Sequence, residues 1–288
     1  MRIEIAKAAL AALLLVSGCT RVIDAHPQAE PLTASPPAAA SPPAPPAPPP
    51  DPLAALEPSF AELAEAASAT IGLAVAPVGS AQIRSFGSWS TGVAWSTIKV
   101  PLAIAALRVA GADVQPLVVR AITQSDNGAA EQLWSQLGPP DAAAQQVQSV
   151  LRETGDDSTA VESHRLRPGF TAFGQTRWSL ELQARFAAGL PCIAGADGVV
   201  ELMRDVGGGQ RWGLAGGDTP VKGGWGPDGD GRYLVRQLAV LSTPAGQVGV
   251  AMAAEPHDGT FGTGIAVLDR MADWVSTHAA DLPGGKCG

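Results

Sequence analysis

Ser96 and Lys99 stand three residues apart in Trp95-Ser96-Thr97-Ile98-Lys99-Val100-Pro101, which puts a hydroxyl and an amine on one face of a helix. A serine becomes an acyl-transfer nucleophile when a neighbouring base takes its proton. An amine is that base only when neutral, a state favoured by apolar surroundings and by a second ammonium nearby. Downstream, Ser125-Asp126-Asn127 sets a hydroxyl and a carboxamide two residues apart, so that both face one cleft while Asp126 turns inward to fix the loop. Ser125 is then placed to relay a proton to a leaving group, and Asn127 to hold a substrate amide. Late in the chain, Lys222-Gly223-Gly224 offers an ammonium for a carboxylate, with glycines that let a substrate backbone lie along a strand edge. The N–H groups of Ser96 and Trp225 would form an oxyanion hole. The whole sequence has only four lysines, Lys7, Lys99, Lys222 and Lys286, and two of them fall in these motifs.

Positioning such groups needs a buried helix, a rigid loop and a strand. Val100 to Val109 is apolar nearly all round, as a helix enclosed in a core would be. Helices are also expected at Leu53–Ala67, Asn127–Leu137, Asp141–Glu153, Leu180–Ala188 with Ser179 as its cap, Val199–Val206 and Thr263–His278. Strand patterns appear at Ile71–Val78 and Ala81–Phe86, joined by a Gly79-Ser80 turn, and again at Thr219–Gly224, Tyr233–Ser242 and Gln247–Ala253. Strands from both ends of the chain enclosing a helical middle predict an α+β fold. Its architecture is an α/β/α sandwich with an antiparallel sheet and an inserted all-helical lobe at about residues 93–205.

In that order and on those elements, Trp95–Leu107, Ala121–Ala130 and Lys222–Gly226 resemble the penicillin-recognising serine hydrolases. The Ser-Asp-Asn triplet is similar to that of class A β-lactamases, and the resemblance covers nearly all of residues 53–288. It implies Ser96 as nucleophile, Lys99 as base, Ser125 as proton relay, and Asn127, Lys222, Gly224 and Trp225 as substrate-binding residues. It implies no cofactor, and a β-lactam or a D-alanyl peptide of the cell wall as ligand. Class A enzymes release the acyl group with a glutamate on the loop after the middle motif, and Glu162 stands near that place. Four positions depart from the pattern. Leu166 replaces the asparagine that shares the water, and Ala160 and Gln175 replace an Arg–Asp pair that pins the loop. Gly223 replaces the Thr or Ser that helps to bind the substrate carboxylate, for which Arg232 or Arg236 is the candidate substitute.

The remaining segments concern location. Arg2 and Lys7 precede an apolar run from Ala8 to Val16, and Val16-Ser17-Gly18-Cys19 is similar to a lipobox, so residues 1–18 are expected to be a signal peptide and Cys19 to be lipidated. Residues 19–52 are read as a tether; from Pro27 to Pro52 they hold 12 of the 25 prolines, which cannot bury a core and would extend about 80 Å at most. The expected location is the outer face of the plasma membrane, anchored through the N-terminal lipid. With Cys19 acylated, Cys192 and Cys287 form an even pair in an oxidising compartment, and a disulfide between them is expected. The net charge is −8, becoming −9 without the signal peptide, which argues against nucleic acid as a partner. The four histidines lack metal-ligand spacing, and a monomer is expected. Two functions remain open: a serine hydrolase acylated at Ser96 and slow to deacylate, or an envelope binding lipoprotein that keeps the fold without the chemistry.

Overall fold

In the computed structural model, residues 52–288 are described; the signal peptide, Cys19 and the tether up to Asp51 lie outside the described residues. The chain enters through helix α1 (Glu57–Ala66), then forms strands β1 (Ala69–Pro77), β2 (Arg84–Gly87) and β3 (Thr91–Val93). Six helical segments follow: a 3-10 turn (Trp95–Ile98), α2 (Lys99–Ala110), a second 3-10 turn (Gly111–Val114), α3 (Gln115–Thr123), α4 (Asn127–Gln136) and α5 (Pro140–Arg152). After a long loop come strand β4 (Arg177–Ser179) and helices α6 (Leu180–Gly189) and α7 (Asp197–Leu202). Strands β5 (Val221–Pro227), β6 (Tyr233–Thr243) and β7 (Gly246–Pro256) and helix α8 (Phe261–Thr277) end the fold.

The main sheet runs β2-β1-β7-β6-β5, every pair antiparallel, so the N-terminal hairpin pairs with the last strand and β5 is left at an edge. Side chains alternate across a strand, and both faces of this sheet are covered. One face packs Phe60 of α1 with Leu268, Met271 and Val275 of α8. The other receives Leu180, Ala184 and Ala188 of α6. Close packing on that side is visible at Gly249, where an added Cβ would lie 2.2 Å from the Ala188 nitrogen. The expected sandwich with its helical insertion is thus the observed fold. The insertion has its own core, built around the fully buried α2 segment Lys99–Ala106 with Val118, Leu133, Val147 and Leu151 from the helices around it.

Two features exceed the sequence expectation. A two-stranded sheet joins β3 to β4, pairing Val93 with Arg177, and α3 is a separate helix. Ser179 does cap α6, its Oγ accepting from the Leu182 N–H at 3.2 Å. Cys192 and Cys287 are bonded, with 5.5 Å between their Cα atoms, fastening the C-terminus to the segment after α6.

Candidate active site

Ser96 lies in the 3-10 turn that opens α2, immediately after Trp95, whose φ is +50°. Among the described residues only Trp95 and Ser125 combine a side chain with positive φ; Ser125 is a predicted site residue and Trp95 precedes another, Ser96. Strained backbone of this kind persists only where the surroundings enforce it. Ser125 has φ +55° and ends the turn before α4, where Asp126 serves as N-cap. The Asp126 carboxylate accepts from the Ala129 N–H at 3.0 Å and from Arg120 Nε at 2.9 Å, which hold it below the usual carboxylate range. Asp126 therefore fixes the loop as expected, but as a partly exposed cap rather than an inward-pointing one.

Lys99 is buried, and its Nζ donates to the Ser125 carbonyl at 2.6 Å and to Asn127 Oδ1 at 2.7 Å, with Ser125 Oγ farther off at 3.4 Å. Burial lowers its pKa to about 7, against a smaller opposing pull from the Asp126 charge. A neutral amine has two N–H groups and one lone pair. The two short contacts occupy both donors, so the lone pair is left for the proton of a hydroxyl. Ser96 Oγ makes no hydrogen bond with a described residue and lies on the wall of a cavity of about 210 Å³, with Trp95, Asn127, Phe170, Thr171 and Trp225.

Lys222 is enclosed completely. Its ammonium donates to Ser125 Oγ at 3.0 Å, to the Gly223 carbonyl at 2.9 Å and to Gln210 Oε1. Burial, and then the charge of Lys99, push its pKa well down. Lys222 Nζ is enclosed by three acceptors of the protein and Lys222 lies off the wall of the Ser96 cavity, so it does not face a substrate carboxylate there, which corrects the sequence expectation. What it does is hold Ser125 Oγ between two amines. Gln210, unsuspected from the sequence, completes this arrangement by donating from Nε2 to the carbonyls of Ile122 and Thr123 at 3.1 and 3.0 Å.

The glycines of the third motif serve the protein rather than a ligand. A Cβ on Gly224 would lie 2.8 Å from the Ala94 carbonyl oxygen and 3.0 Å from the Thr97 nitrogen, so this glycine lets the nucleophile's turn press against β5. At Gly223 a Cβ would lie 2.8 Å from the Trp212 ring, whose indole fills the room a Thr side chain would need. Trp225 forms part of the cavity wall and packs against Trp212 and Phe261.

Arg236 is also corrected. It lies opposite Gly224, fully buried, and its guanidinium donates to Gln183 Oε1 and to the carbonyls of Gly92, Val93 and Trp178. Burial lowers its pKa to about 9, and no part of it lines the cavity around Ser96. It supports the β3–β4 sheet from beneath.

Glu162 is the third correction. Its Oε1 accepts from the His164 N–H at 3.0 Å, so the carboxylate is folded back on its own loop and lies off the cavity wall. Leu166 is 64% exposed and also points away. Phe170 and Thr171 face the cavity instead. Gln175 pins this loop without an ion pair: its Oε1 accepts from the Arg167 N–H at 2.8 Å and its Nε2 donates to the Thr171 carbonyl at 3.2 Å. Arg167 then ties the loop to β5 through the Pro227 carbonyl at 2.6 Å and the Asp228 carbonyl at 3.0 Å. No residue pattern in the sequence marked this strap.

The sequence matches no family model, and no curated protein matches it. Solved structures do match. An ancestral class A β-lactamase superposes with a TM-score of 0.60 at 20% identity, over 77% of this chain and 99% of that one. A class A β-lactamase from Mycobacterium abscessus gives 0.61 at 17% identity over 77% and 98%, and the TLA-3 extended-spectrum β-lactamase gives 0.63 at 12% over 78% and 98%. The fold is that of class A β-lactamases.

Proposed function

We propose that this chain is a cell-envelope serine hydrolase of the β-lactamase or penicillin-binding type, acylated on Ser96 by a β-lactam or a D-alanyl peptide and slow to release the acyl group. What supports acylation is the buried Lys99 amine, with a pKa of about 7 and both donors engaged, one helical turn from a serine exposed to the cavity. Lys99 takes the Ser96 proton as Oγ attacks the carbonyl carbon. The N–H groups of Ser96 and Trp225 receive the developing oxyanion. As the tetrahedral species collapses, Ser125 Oγ protonates the leaving nitrogen and recovers a proton from Lys99, 3.4 Å away, which carries the one taken from Ser96, while Lys222 Nζ holds the same Oγ at 3.0 Å.

Release of the acyl group needs a water and a base to activate it. Among the described residues no carboxylate lies on the wall of the cavity around Ser96, and Glu162 is committed to its own loop. Slow deacylation is the consequence. Attachment through a lipid on Cys19, with residues 19–52 as a spacer, places the enzyme at the outer face of the plasma membrane, as a monomer. No cofactor enters these steps.

A second reading, an envelope binding lipoprotein without turnover, draws on the free Ser96 hydroxyl, which no base holds in the resting structure. A time course with a fluorescent penicillin separates the two. Wild type should label and keep the label for hours, Ser96→Ala should not label, and Lys99→Met should label at least about 100-fold more slowly. Saturable, reversible binding that is equal in wild type and Ser96→Ala would instead establish the binding protein.

A further inference from the structure

The cavity around Ser96, at about 210 Å³, is smaller than the roughly 300 to 1,000 Å³ typical of sites that enclose a drug-sized ligand. Only the reacting portion of a substrate fits there, so the rest must lie beyond. A second cavity of about 500 Å³ adjoins it and shares three of its walls, Trp95, Gly226 and Tyr233. Trp95 is the partition: a Cβ on Gly226 would fall 2.6 Å from its ring, and Phe170 packs on it at 5.3 Å between centroids. By contrast, the other large cavity, about 490 Å³ beside Cys192, shares no lining residue with the Ser96 cavity.

The second cavity is distinguished by its arginines. Arg167, Arg177 and Arg232 all line it, and none is ion-paired with a described residue. Arg167 and Arg232 spend guanidinium donors only on backbone carbonyls, those of Pro227 and Asp228 and those of Pro256 and His257. The Arg177 side chain is exposed and makes no hydrogen bond with a described residue. The other ionisable groups on the wall are Asp228, Tyr233, Glu255 and His257. Asp228 Oδ1 accepts from the N–H groups of Asp230 and Arg232, so the wall carries two carboxylates, Asp228 and Glu255, against three guanidiniums. A planar carboxylate matches the fork of an arginine, and Arg177 has every donor free to make that contact.

We propose that this second cavity is an accessory subsite that takes a carboxylate on the acyl portion of the substrate, with Arg177 as its principal contact. The proposal rests on acylation at Ser96 and adds the substrate class: an acyl donor with an acidic extension. Neither Arg236 nor Lys222 is available to recognise such a group, because both are saturated inside the protein.

Two penicillin-nucleus donors that differ only in the N-acyl chain, a glutaryl group ending in a carboxylate in one and a 4-carbamoylbutanoyl group ending in an uncharged amide in the other, provide the test. Labelling of Ser96 in wild type should be about two- to fivefold faster with the glutaryl donor at low salt. The preference should disappear in Arg177→Ala, invert in Arg177→Glu and shrink in 0.5 M salt, on the order of a 4 Å screening length. Labelling by the neutral donor should be the same in all three proteins. Equal rates for both donors in wild type, or a preference that survives Arg177→Glu, would overturn the subsite while leaving acylation intact. If neither donor labels wild type, acylation itself has failed. Tryptophan fluorescence of Ser96→Ala titrated with glutarate then decides the subsite alone: a saturable change lost in the added Arg177→Glu supports it, and no change overturns it.

Discussion

Lys99 offers the sharpest quantitative test, because its environment sets both a rate and a stability. Burial brings its pKa from 10.5 to about 7. For a lysine whose folded value is the lower one, the folded protein binds fewer protons than the unfolded chain between about pH 7 and 10.5. Stability therefore rises with pH across that window, and the full penalty of the buried charge is felt below pH 7. At 1.36 kcal/mol per unit, the penalty is on the order of 5 kcal/mol. Lys99→Met removes it, so the variant should be more stable than wild type at pH 6, and its advantage should fade toward pH 10. Catalysis follows the neutral fraction, which is roughly one eleventh at pH 6 and ten elevenths at pH 8. The second-order rate of labelling by a fluorescent penicillin should consequently rise about tenfold between those values and level off above pH 8. Stopped-time gel fluorescence from pH 5.5 to 9.5, with urea unfolding at the same points, measures both effects. A flat rate profile, or a rise centred near pH 10, would refute Lys99 as the base.

Other perturbations test separate parts of the structure. Replacing Cys192 and Cys287 by serine opens a 95-residue loop and should lower stability by about 4 kcal/mol, read as a drop in the urea midpoint with the site still reactive. Gly223→Thr, which installs the family's usual residue type, should cost about 1–3 kcal/mol by collision with Trp212, and pairing it with Trp212→Leu should recover part of the loss in a double-mutant cycle. Gln210→Leu removes one acceptor from the Lys222 ammonium and the donor to two carbonyls, so a loss of about 1–3 kcal/mol in urea unfolding is expected, together with slower labelling. Glu162→Ala should leave the lifetime of a penicillin label unchanged; a lengthened lifetime would restore Glu162 as the deacylating base.

The parts of this protein written in short contiguous patterns were legible in its sequence. Ser96, Lys99, Ser125 and Asn127 lie in such patterns and are adjacent in the fold, because a helix start and a capped turn fix each of them locally. Strands β6 and β7 were legible from their apolar runs, and the cap at Ser179 from its residue type. Contacts between distant segments were not legible. β3 and β4 have three residues each and are joined across the whole helical lobe, too little pattern to announce a pairing. Gln210 and Trp212 reach the third motif from a loop whose sequence carries no periodic signal. Arg236 was expected to bind a substrate carboxylate, but its guanidinium is enclosed. Four acceptor groups beneath the sheet meet its donors, and that could be known only with β3, β4 and α6 in place. Glu162 was placed by counting along the loop, whereas Gln175 and Arg167 fold the loop so that Phe170 and Thr171 face the cavity.

Intact-mass measurement after incubation with penicillin tests acylation at Ser96 most directly. Wild type should gain the mass of a single drug molecule, located by peptide mapping on the segment that holds Ser96 and retained for hours, while Ser96→Ala gains nothing. No adduct at millimolar drug, or an adduct that persists in Ser96→Ala, would contradict it.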